Sequence, residues 1–333
     1  MRRILPLLSA LLCLSFAVPA QAKVTIKLAT LAPENSTWWK ALRKMGDEWS
    51  TITNGEVEVK IYAGGVVGNE TAMVRKMNIG QLHGGQITNV GMTMYDKRPQ
   101  VIQAPMLIRS NAELDHVMAA MAPEFEAALL EDGIVTLNWG DAGWVHLFTK
   151  EVMEKPAETS KFKIYAYEGD PEAVGLFTSF KFEPVVMTAN EVLPSLQSGL
   201  VTAFPSTRLG ALALQWFALA PNMLDVPWAP LVGATVITQA AWDSIPAEHH
   251  AACKKAAREI GADMAATIRK QDEKAVPVME KYGLAVTRVA PATRTAWEAL
   301  GESTWSVVRG KMVPEATFDR VKALVDEYRA QHP

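Results

Sequence analysis

The sequence predicts an α/β fold built as two lobes, and three observations support this prediction. Strand-like and helix-like segments alternate from residue 23 onward, with the short connections that are typical of parallel β-α-β units. The same alternation starts again near residue 162, after a first set of strands. About 310 residues follow residue 22, and a chain of that length can form two hydrophobic cores.

The first lobe is predicted from segments that alternate between two kinds of hydrophobic period. Period-two patterns rich in β-branched residues predict strands at KVTIKLATL, VEVKIYA, GQITNV, TLNWG and VHLF. Residues 38–51 and 70–79 have the period of an amphipathic helix. The order strand, helix, strand, helix, strand predicts parallel pairing in this lobe.

The second lobe is predicted to begin with the strand FKIYAY, at residues 162–167. Alternation places Tyr165 and Tyr167 on the face opposite Ile164. Asp170 can cap the next helix through its side-chain oxygen, and Pro171 suits the first helical position. The segment therefore predicts a tight turn between the strand and a helix at residues 171–180.

The rest of the chain continues this pattern and then changes character. EPVVMT and LVTAFPS are predicted strands on either side of a helix at residues 190–198. After ATVITQ, residues 246–282 predict one long helix bent near Pro277, followed by the short strand LAVTRV. Because no flexible linker separates the halves, we expect crossing strands to join them. We assign residues 23–145 and 233–280 to lobe I, and residues 146–232 and 281–333 to lobe II.

The first 22 residues have the three parts of a cleaved signal peptide. Arg2 and Arg3 form a basic start, an apolar stretch follows, and Ala20 and Ala22 surround the expected cleavage site. The apolar stretch is shorter than the roughly 20 residues of a membrane-spanning helix. The sequence therefore predicts an exported, periplasmic protein.

Charge and cysteine content exclude several classes of function. Loss of residues 1–22 would move the formal charge from −3 to −5, and no basic tract remains to bind nucleic acid. Cys253 would be the only cysteine, so no internal disulfide can form. His249 and His250 are adjacent and point in different directions on a helix, unlike metal ligands one turn apart. We expect no metal and no cofactor.

Catalytic motifs are scarce. Ser160 and Lys163 form an S-x-x-K pattern, which some periplasmic hydrolases use for a serine nucleophile. The partner motifs S-D-N and K-T-G are absent, and the pattern precedes a strand instead of lying on a helix. We therefore expect the protein not to be an enzyme, and keep an envelope hydrolase as a minor alternative.

Aromatic residues are concentrated where the predicted strands end. In open α/β sheets, ligands bind outside the carboxyl ends of the strands, and aromatic rings there supply large apolar contact area. Such residues would line a cleft between the lobes. They are Trp38, Trp144, Tyr165, Tyr167, Phe204 and Trp228.

Eight motifs follow one another through nearly all of the exported chain: IKLATLAPENSTWW, GGVVGNE, MNIGQLHGGQIT, APMLI, WGDAGW, FKIYAY, EVLPSLQSGLV and AWDSIPAEHH. In this order they resemble the substrate-binding proteins of TRAP transporters, the DctP-type family, also called solute-binding protein family 7. The resemblance implies a type II periplasmic binding protein fold, in which two α/β lobes joined by a hinge close over a small molecule. It also implies partner permease subunits in the inner membrane.

The chain departs from this family at two basic positions. The family usually clamps a substrate carboxylate with an arginine in a K-I-R segment, and Tyr165 stands at that position here. A second frequent arginine is matched by Val145. Because a desolvated carboxylate without a partner is costly, we expect a largely apolar or neutral ligand.

The resemblance and the strand-end argument together give a set of candidate ligand-binding residues. Aromatic walls would supply contact area, while tyrosine hydroxyls, Ser206 or Thr188 would orient the ligand. The candidates are Glu34, Asn35, Trp38, Asn89, Trp144, Tyr165, Tyr167, Thr188, Phe204, Ser206, Arg208 and Trp228.

Two alternatives remain open within the class of binding proteins. Arg208 follows Ser206 by two residues and could replace the missing arginine as an anchor for an organic acid. Alternatively, the two lobes could dock on a membrane or outer-membrane protein through the helices from Pro291 onward, without transporting a solute. The apolar spacing of those helices is explained equally well by packing.

Overall fold

The computed structural model describes residues 23–332, so the predicted signal peptide at residues 1–22 lies outside the described residues. The described chain is a mixed α/β structure around one sheet. Its strands are β1 (Val24–Ala29), β2 (Val57–Tyr62), β3 (Gly84–Thr88), β4 (Ile134–Thr149), β5 (Lys163–Tyr167), β6 (Glu183–Met187), β7 (Ala203–Thr207), β8 (Asn222–Thr238) and β9 (Ala285–Thr287).

The helices lie between and around these strands. They are α1 (Thr37–Ile52), α2 (Glu70–Asn78), α3 (Asn89–Met92), α4 (Asn111–Glu131), α5 (Pro171–Ser179), α6 (Ala189–Ser198), α7 (Arg208–Ala213), α8 (Gln239–Asp243), α9 (Ala247–Glu280), α10 (Pro291–Ser303), α11 (Trp305–Val307) and α12 (Glu315–Gln331). Further helical turns occupy Arg98–Gln103, Pro156–Lys161, Trp216–Ala218 and Val308–Met312.

The sheet has two parallel halves joined by two long antiparallel strands. The strand order is β2-β1-β3-β8-β4-β7-β5-β6, with β9 beside β8. Strands β1, β2 and β3 are parallel, and so are β5, β6 and β7. Strands β4 and β8 are antiparallel to each other and to the halves that they join. The prediction of parallel pairing is therefore wrong for β4, while the expected crossing strands are present.

One long strand replaces two predicted short ones between residues 134 and 149. TLNWG and VHLF both belong to β4, whose register against β8 shifts between Asp141 and Trp144. Gly143 lies in this interval with a φ of 100°, a conformation that glycine adopts without strain. Glycine in a strand often marks a bulge, and here it lets the strand continue where the sequence predicted a break.

Most predicted helices are confirmed within a residue or two of their ends. The Asp170 side chain accepts a hydrogen bond from Ala173 N and caps α5, as predicted, with Pro171 at the first helical position. Helix α9 is 34 residues long and contains Pro277. The predicted strand GQITNV ends at Thr88, because its last two residues begin α3. The lobe boundaries stay a prediction.

Packing on both faces of the sheet holds the strands in place. Helix α1 buries Leu42, Met45 and Trp49 against the first half of the sheet, and the Trp49 indole donates to the Cys253 carbonyl on α9. Phe148 and Phe204 stack in a core on the second half, with ring centroids 4.9 Å apart. No helix among residues 23–332 is long and apolar enough to cross a membrane.

The sheet brings its two halves face to face. Strands β3 and β5 are four strand spacings apart, which is about 19 Å in a flat sheet. However, the backbone N–H of Glu70, at the start of α2, reaches the Tyr167 hydroxyl at the end of β5, at 3.2 Å. The two halves therefore meet over an enclosed space.

Candidate ligand-binding cavity

A cavity of about 460 Å³ lies between the two halves of the sheet. This volume lies within the range of small-molecule binding sites. Its walls come from both halves and from the two joining strands, and they are mainly apolar. Among the lining residues are Leu31, Trp38, Ile87, Val90, Val145, Leu147, Tyr165, Tyr167, Leu176, Phe177, Leu214, Trp228, Leu231, Val232, Met264, Val308 and Met312.

Five of the twelve candidate residues line this cavity: Trp38, Tyr165, Tyr167, Ser206 and Trp228. Four of them are aromatic and belong to the six aromatic residues that the strand-end argument named. Val145, where the resemblance implied a missing arginine, also lines the wall. The substitution of an apolar side chain there leaves an apolar surface.

Three of the other candidates are at or near the surface and do not line the cavity. Glu34 and Asn35 are exposed in the loop before α1. Thr188 caps α6, where its backbone N–H and hydroxyl both donate to the Glu191 carboxylate. Their roles in binding stay predictions.

Three further candidates are buried behind the cavity wall. Phe204 is fully buried in the core, and Trp144 donates from its indole to Asn111 Oδ1 at 2.8 Å. Asn89 donates from its side-chain amide to Gln103 Oε1 at 2.7 Å. Trp144 precedes Val145, which lines the cavity, so alternation along β4 turns the Trp144 ring to the opposite face. The Phe204 ring stacks on Phe148 in the core.

Tyr165 is a buried phenol at the wall. Its ring meets the Trp216 ring edge to face, with centroids 5.7 Å apart. Burial raises the pKa of Tyr165 above its usual range, and the nearby Tyr167 and acidic side chains act in the same direction. The hydroxyl is therefore neutral near pH 7, and no positive charge stands at this position.

Three polar contacts join the two halves of the sheet beside the cavity, and we call them the closing contacts. Tyr167 accepts the Glu70 N–H, and the Asn69 side-chain amide donates to the Glu168 carboxylate. Lys97 Nζ lies 3.2 Å from Glu172 Oε1. All three connect the end of β5, the turn after it or the start of α5 to the first half of the sheet.

Arg208 is held by a carboxylate of the protein itself. Its guanidinium lies 2.7 and 2.8 Å from Asp272 Oδ2, and the other Asp272 oxygen accepts the Leu209 N–H at 3.0 Å. The Asp272 side chain is only 2 % exposed, while that of Arg208 is 23 % exposed. Arg208 does not line the cavity, although Ser206 and Thr207 before it do.

A second arginine beside the cavity is also paired. Arg269 on α9 contacts Asp141 Oδ2 at 2.6 Å and both carboxylate oxygens of Asp115, at 2.7 and 2.9 Å. Asp141 lines the cavity, and its side chain is 6 % exposed. We call Arg208–Asp272 and Arg269–Asp141 the buried ion pairs.

The start of α3 is, after the two arginines, a third position that could attract an anion, and the Glu70 carboxylate occupies it. Its buried carboxylate accepts hydrogen bonds from Thr88 N, Thr88 Oγ1 and Gly91 N at 2.8–2.9 Å, at the start of α3. Burial raises the pKa of Glu70, and these hydrogen bonds act in the opposite direction. The backbone N–H groups of this turn are therefore already occupied.

The charged residues that line the cavity are all acidic. They are Glu70, Asp141 and Asp170, and among residues 23–332 no Lys, Arg or His side chain lines it. Burial raises the pKa of Asp170 to about 6. Within the described residues, the lining therefore offers no positively charged side chain to an anionic ligand.

Sequence reasoning missed most of the polar residues at the wall. Gln86 accepts from Thr30 and donates to the Trp38 carbonyl, and Asn138 pairs with Thr235 and the Ala257 carbonyl. Glu70 and Asp141 are also at the wall. Three of these, Gln86, Glu70 and Asp141, lie within motifs that the sequence analysis quoted, MNIGQLHGGQIT, GGVVGNE and WGDAGW. The motifs thus marked the site, but their polar members were not singled out.

The candidate nucleophile of the hydrolase alternative lies away from the cavity. Ser160 is exposed on the helical turn Pro156–Lys161, and Lys163 is exposed at the start of β5. Neither residue lines the cavity. Among the described residues, no group of three or more His, Cys, Asp or Glu is arranged to hold a metal ion.

Comparison with known families gives one match that covers most of the chain. Residues 28–310 match the model of "Bacterial extracellular solute-binding protein, family 7". The 2,3-diketo-L-gulonate-binding periplasmic protein YiaO of Escherichia coli (strain K12) is 21 % identical over 318 residues, which cover 94 % of each chain.

Solved structures of TRAP periplasmic solute-binding proteins share the fold. One from Ralstonia eutropha H16, with bound (S)-2-acetolactate, is 19 % identical and has a TM-score of 0.84, covering 92 % of this chain and 99 % of that one. One from Sulfurospirillum deleyianum DSM 6946, with bound succinate, is 18 % identical with a TM-score of 0.83, covering 91 % and 99 %. These similarities confirm the predicted fold class.

Proposed function

The chain belongs to the bacterial extracellular solute-binding proteins of family 7, and on this premise we propose that it binds a largely apolar, non-anionic small molecule in the cavity. It delivers this solute to the permease subunits of a TRAP-type transporter in the inner membrane. The predicted signal peptide and the TRAP proteins of similar fold support a periplasmic location.

The pairing of three anion-attracting groups beside the cavity carries this proposal. Arg208 holds Asp272, Arg269 holds Asp141 and Asp115, and the start of α3 holds Glu70. A ligand carboxylate would have to displace one of these groups or remain desolvated without a partner, and either event is costly. A solute without a carboxylate avoids this cost.

The aromatic wall supports the apolar part of the proposal. Trp38, Tyr165, Tyr167, Phe177 and Trp228 supply rings to the cavity, and aliphatic side chains fill the space between them. Burial of apolar surface contributes about 25 cal/mol per Å². A ligand that covers this wall can therefore bind tightly without an ion pair.

Native mass spectrometry of the protein, purified from its own periplasm, tests the proposal. We expect an additional mass that leaves on denaturation and that fragments as a largely apolar compound without a carboxylate. Tryptophan fluorescence provides a second readout, because Trp38 and Trp228 line the cavity. Release of a sugar acid or a short dicarboxylate would contradict the proposal.

The bound ligands of the similar structures favour a second candidate, an organic acid anchored on Arg208. Those structures contain (S)-2-acetolactate and succinate, which both carry carboxylates. In this case, the Arg208 guanidinium leaves the Asp272 carboxylate and binds the carboxylate of the ligand instead. Arg208→Ala would then abolish binding of the acid, whereas the leading proposal predicts that wild type and variant are equally unable to bind it.

The family assignment does not support the hydrolase alternative, since the matched family is one of solute-binding proteins. Ser160 and Lys163 are exposed and lie outside the cavity, so a solute bound in the cavity would not contact them. Turnover of ester or amide substrates that is lost in Ser160→Ala would be required for an enzyme.

A further inference from the structure

We infer that the ligand presents a hydrogen-bond donor, a hydroxyl or an N–H group, to acceptor oxygens in the cavity wall. This inference rests on the proposed function, because it concerns the polar end of the solute in the same cavity. It is carried by two buried oxygens, Asp141 Oδ1 and Gln100 Oε1, that have no hydrogen-bond partner among residues 23–332.

Asp141 offers the first of these oxygens. Its Oδ2 is taken by Arg269, whereas Oδ1 has no partner within the described part of the chain. The residue lines the cavity and is 7 % exposed. A buried carboxylate oxygen without a partner is costly, so a donor from the ligand at this position would stabilise the complex.

Gln100 offers the second, from another part of the wall. It lies on the helical turn Arg98–Gln103, which is separate from β4, and it is 4 % exposed. The terminal torsions of Gln and Asp side chains have broad energy wells. Small rotations can therefore turn these buried oxygens toward a ligand in the adjoining cavity.

Several other polar side chains at the wall are already paired with the protein. Asn138 and Thr235 bond to each other, Gln86 bonds to Thr30, and Gln103 accepts from Asn89. The two unpartnered oxygens can only accept hydrogen bonds, because one belongs to a carboxylate and the other to an amide carbonyl. An acceptor-only ligand, such as an ether or a carboxylate, cannot satisfy them.

The charge of the wall restricts the donor further. The acidic lining residues and the absence of lining basic residues within 23–332 disfavour an anion and tolerate a cation. A neutral hydroxyl and an ammonium group share the donor chemistry and differ in charge. A comparison of matched alcohols and amines therefore identifies which of the two the cavity prefers.

A panel of matched solutes tests the inference in the full exported protein. Phenylpropyl, cyclohexylmethyl, naphthylmethyl and octyl bodies are each supplied as the alcohol, its methyl ether, the amine and the carboxylate. Affinities are measured by tryptophan fluorescence and calorimetry. We expect alcohols or amines to bind about tenfold more tightly than the matched ethers, and the carboxylates to bind most weakly.

The outcomes of the panel distinguish a failure of the donor inference from a failure of the proposed function. Ethers that bind as well as alcohols and amines overturn the donor inference and leave the proposed function intact. Carboxylates that bind most tightly overturn both. Failure of all four bodies in every form overturns the proposed function, and the inference falls with it.

Two variants locate the acceptors. Gln100→Leu removes one oxygen, and we expect the preference for alcohol over ether to shrink about tenfold. In Asp141→Asn, the Asn oxygen can face Arg269 and its amide N–H can face the cavity, so the preference should shift toward the ether. Gln103→Leu is the matched control, because its oxygen already accepts from Asn89. It is expected to keep the ratio of alcohol to ether affinity even if both affinities fall, and an equal change in this control overturns the assignment.

Discussion

The buried ion pairs and the closing contacts are two charged regions beside one cavity, and they differ in burial. The carboxylates of the ion pairs, Asp272 and Asp141, are 2 % and 6 % exposed. Among the closing contacts, the Lys97 and Glu172 side chains are 51 % and 23 % exposed. The Lys97–Glu172 contact is therefore more accessible to water and salt than the two buried carboxylates. We expect the buried ion pairs to affect solute selection and the closing contacts to affect closure.

Removal of the Asp272 charge should have the largest effect on this comparison. Asp272→Asn leaves Arg208 half-buried without its carboxylate, and we expect a loss of about 3 kcal/mol in the free energy of unfolding. The freed guanidinium should also give the variant measurable affinity for succinate. Urea unfolding and calorimetry measure the two effects.

The double variant Arg208→Gln with Asp272→Asn is the control for that experiment. Replacement of both partners avoids an unpaired buried charge, so most of the lost stability should return and succinate binding should disappear. An unchanged unfolding midpoint in Asp272→Asn would contradict the importance of this ion pair.

The second effect is a pH dependence of stability caused by Asp170. This residue lines the cavity and lies shortly after Tyr167 and Glu168, which form closing contacts. Burial raises the pKa of Asp170 to about 6, from an ordinary value of 3.8. The folded chain therefore binds this proton more tightly than the unfolded chain, and the free energy of unfolding falls as the pH rises from about 4 to about 6.

Asp170→Asn should reduce this fall while it keeps the helix cap, because Asn caps helices as well as Asp. Urea unfolding of both proteins between pH 4 and pH 7 measures the difference. The pKa of Glu70 is also raised, and Glu70 is still present in Asp170→Asn. The free energy of unfolding of the variant should therefore still fall with rising pH, but by less than in the wild type. Equal slopes in the two proteins would show that Asp170 is not the group responsible.

Tyr167→Phe should have a smaller effect, because it removes only the hydroxyl that accepts the Glu70 N–H across the cavity. One hydrogen bond contributes about 1 kcal/mol, so we expect about fivefold weaker binding of the co-purified solute. Small-angle scattering should show more of an open form. The matched control, Tyr62→Phe, alters a tyrosine that does not line the cavity and should leave the affinity unchanged.

Lys97→Ala tests an exposed closing contact and should have the smallest effect. An exposed ion pair contributes 0–1 kcal/mol, and salt screens it further. We expect a change of less than twofold in affinity, and none at high salt. A tenfold loss would mean that the closing contacts also determine binding strength.

Local patterns predicted most of the fold, whereas the site required contacts between distant parts of the chain. Hydrophobic period and the Asp170 cap predicted the helices and most strands. The predicted parallel direction of β4 was wrong, because strand pairing depends on partners far along the chain. No local signal indicated that Gly143 would allow a bulge and so continue the strand.

The site was predicted in part for the same physical reason. The argument from aromatic residues at strand ends named Tyr165, Tyr167 and Trp228, which line the cavity; their roles in binding stay predictions. Phe204 was placed in the cleft by the same argument, but its ring packs into the core. The pairing of Arg208 with Asp272 spans 64 residues, and no spacing rule reveals it.

Calorimetric titration of the wild-type protein with succinate, after removal of any co-purified solute, tests the central claim most directly. Because Arg208 and Arg269 are paired within the protein, we predict no measurable heat of binding at millimolar succinate. Saturable binding at micromolar succinate, lost in Arg208→Ala, would contradict the account and establish Arg208 as a carboxylate anchor.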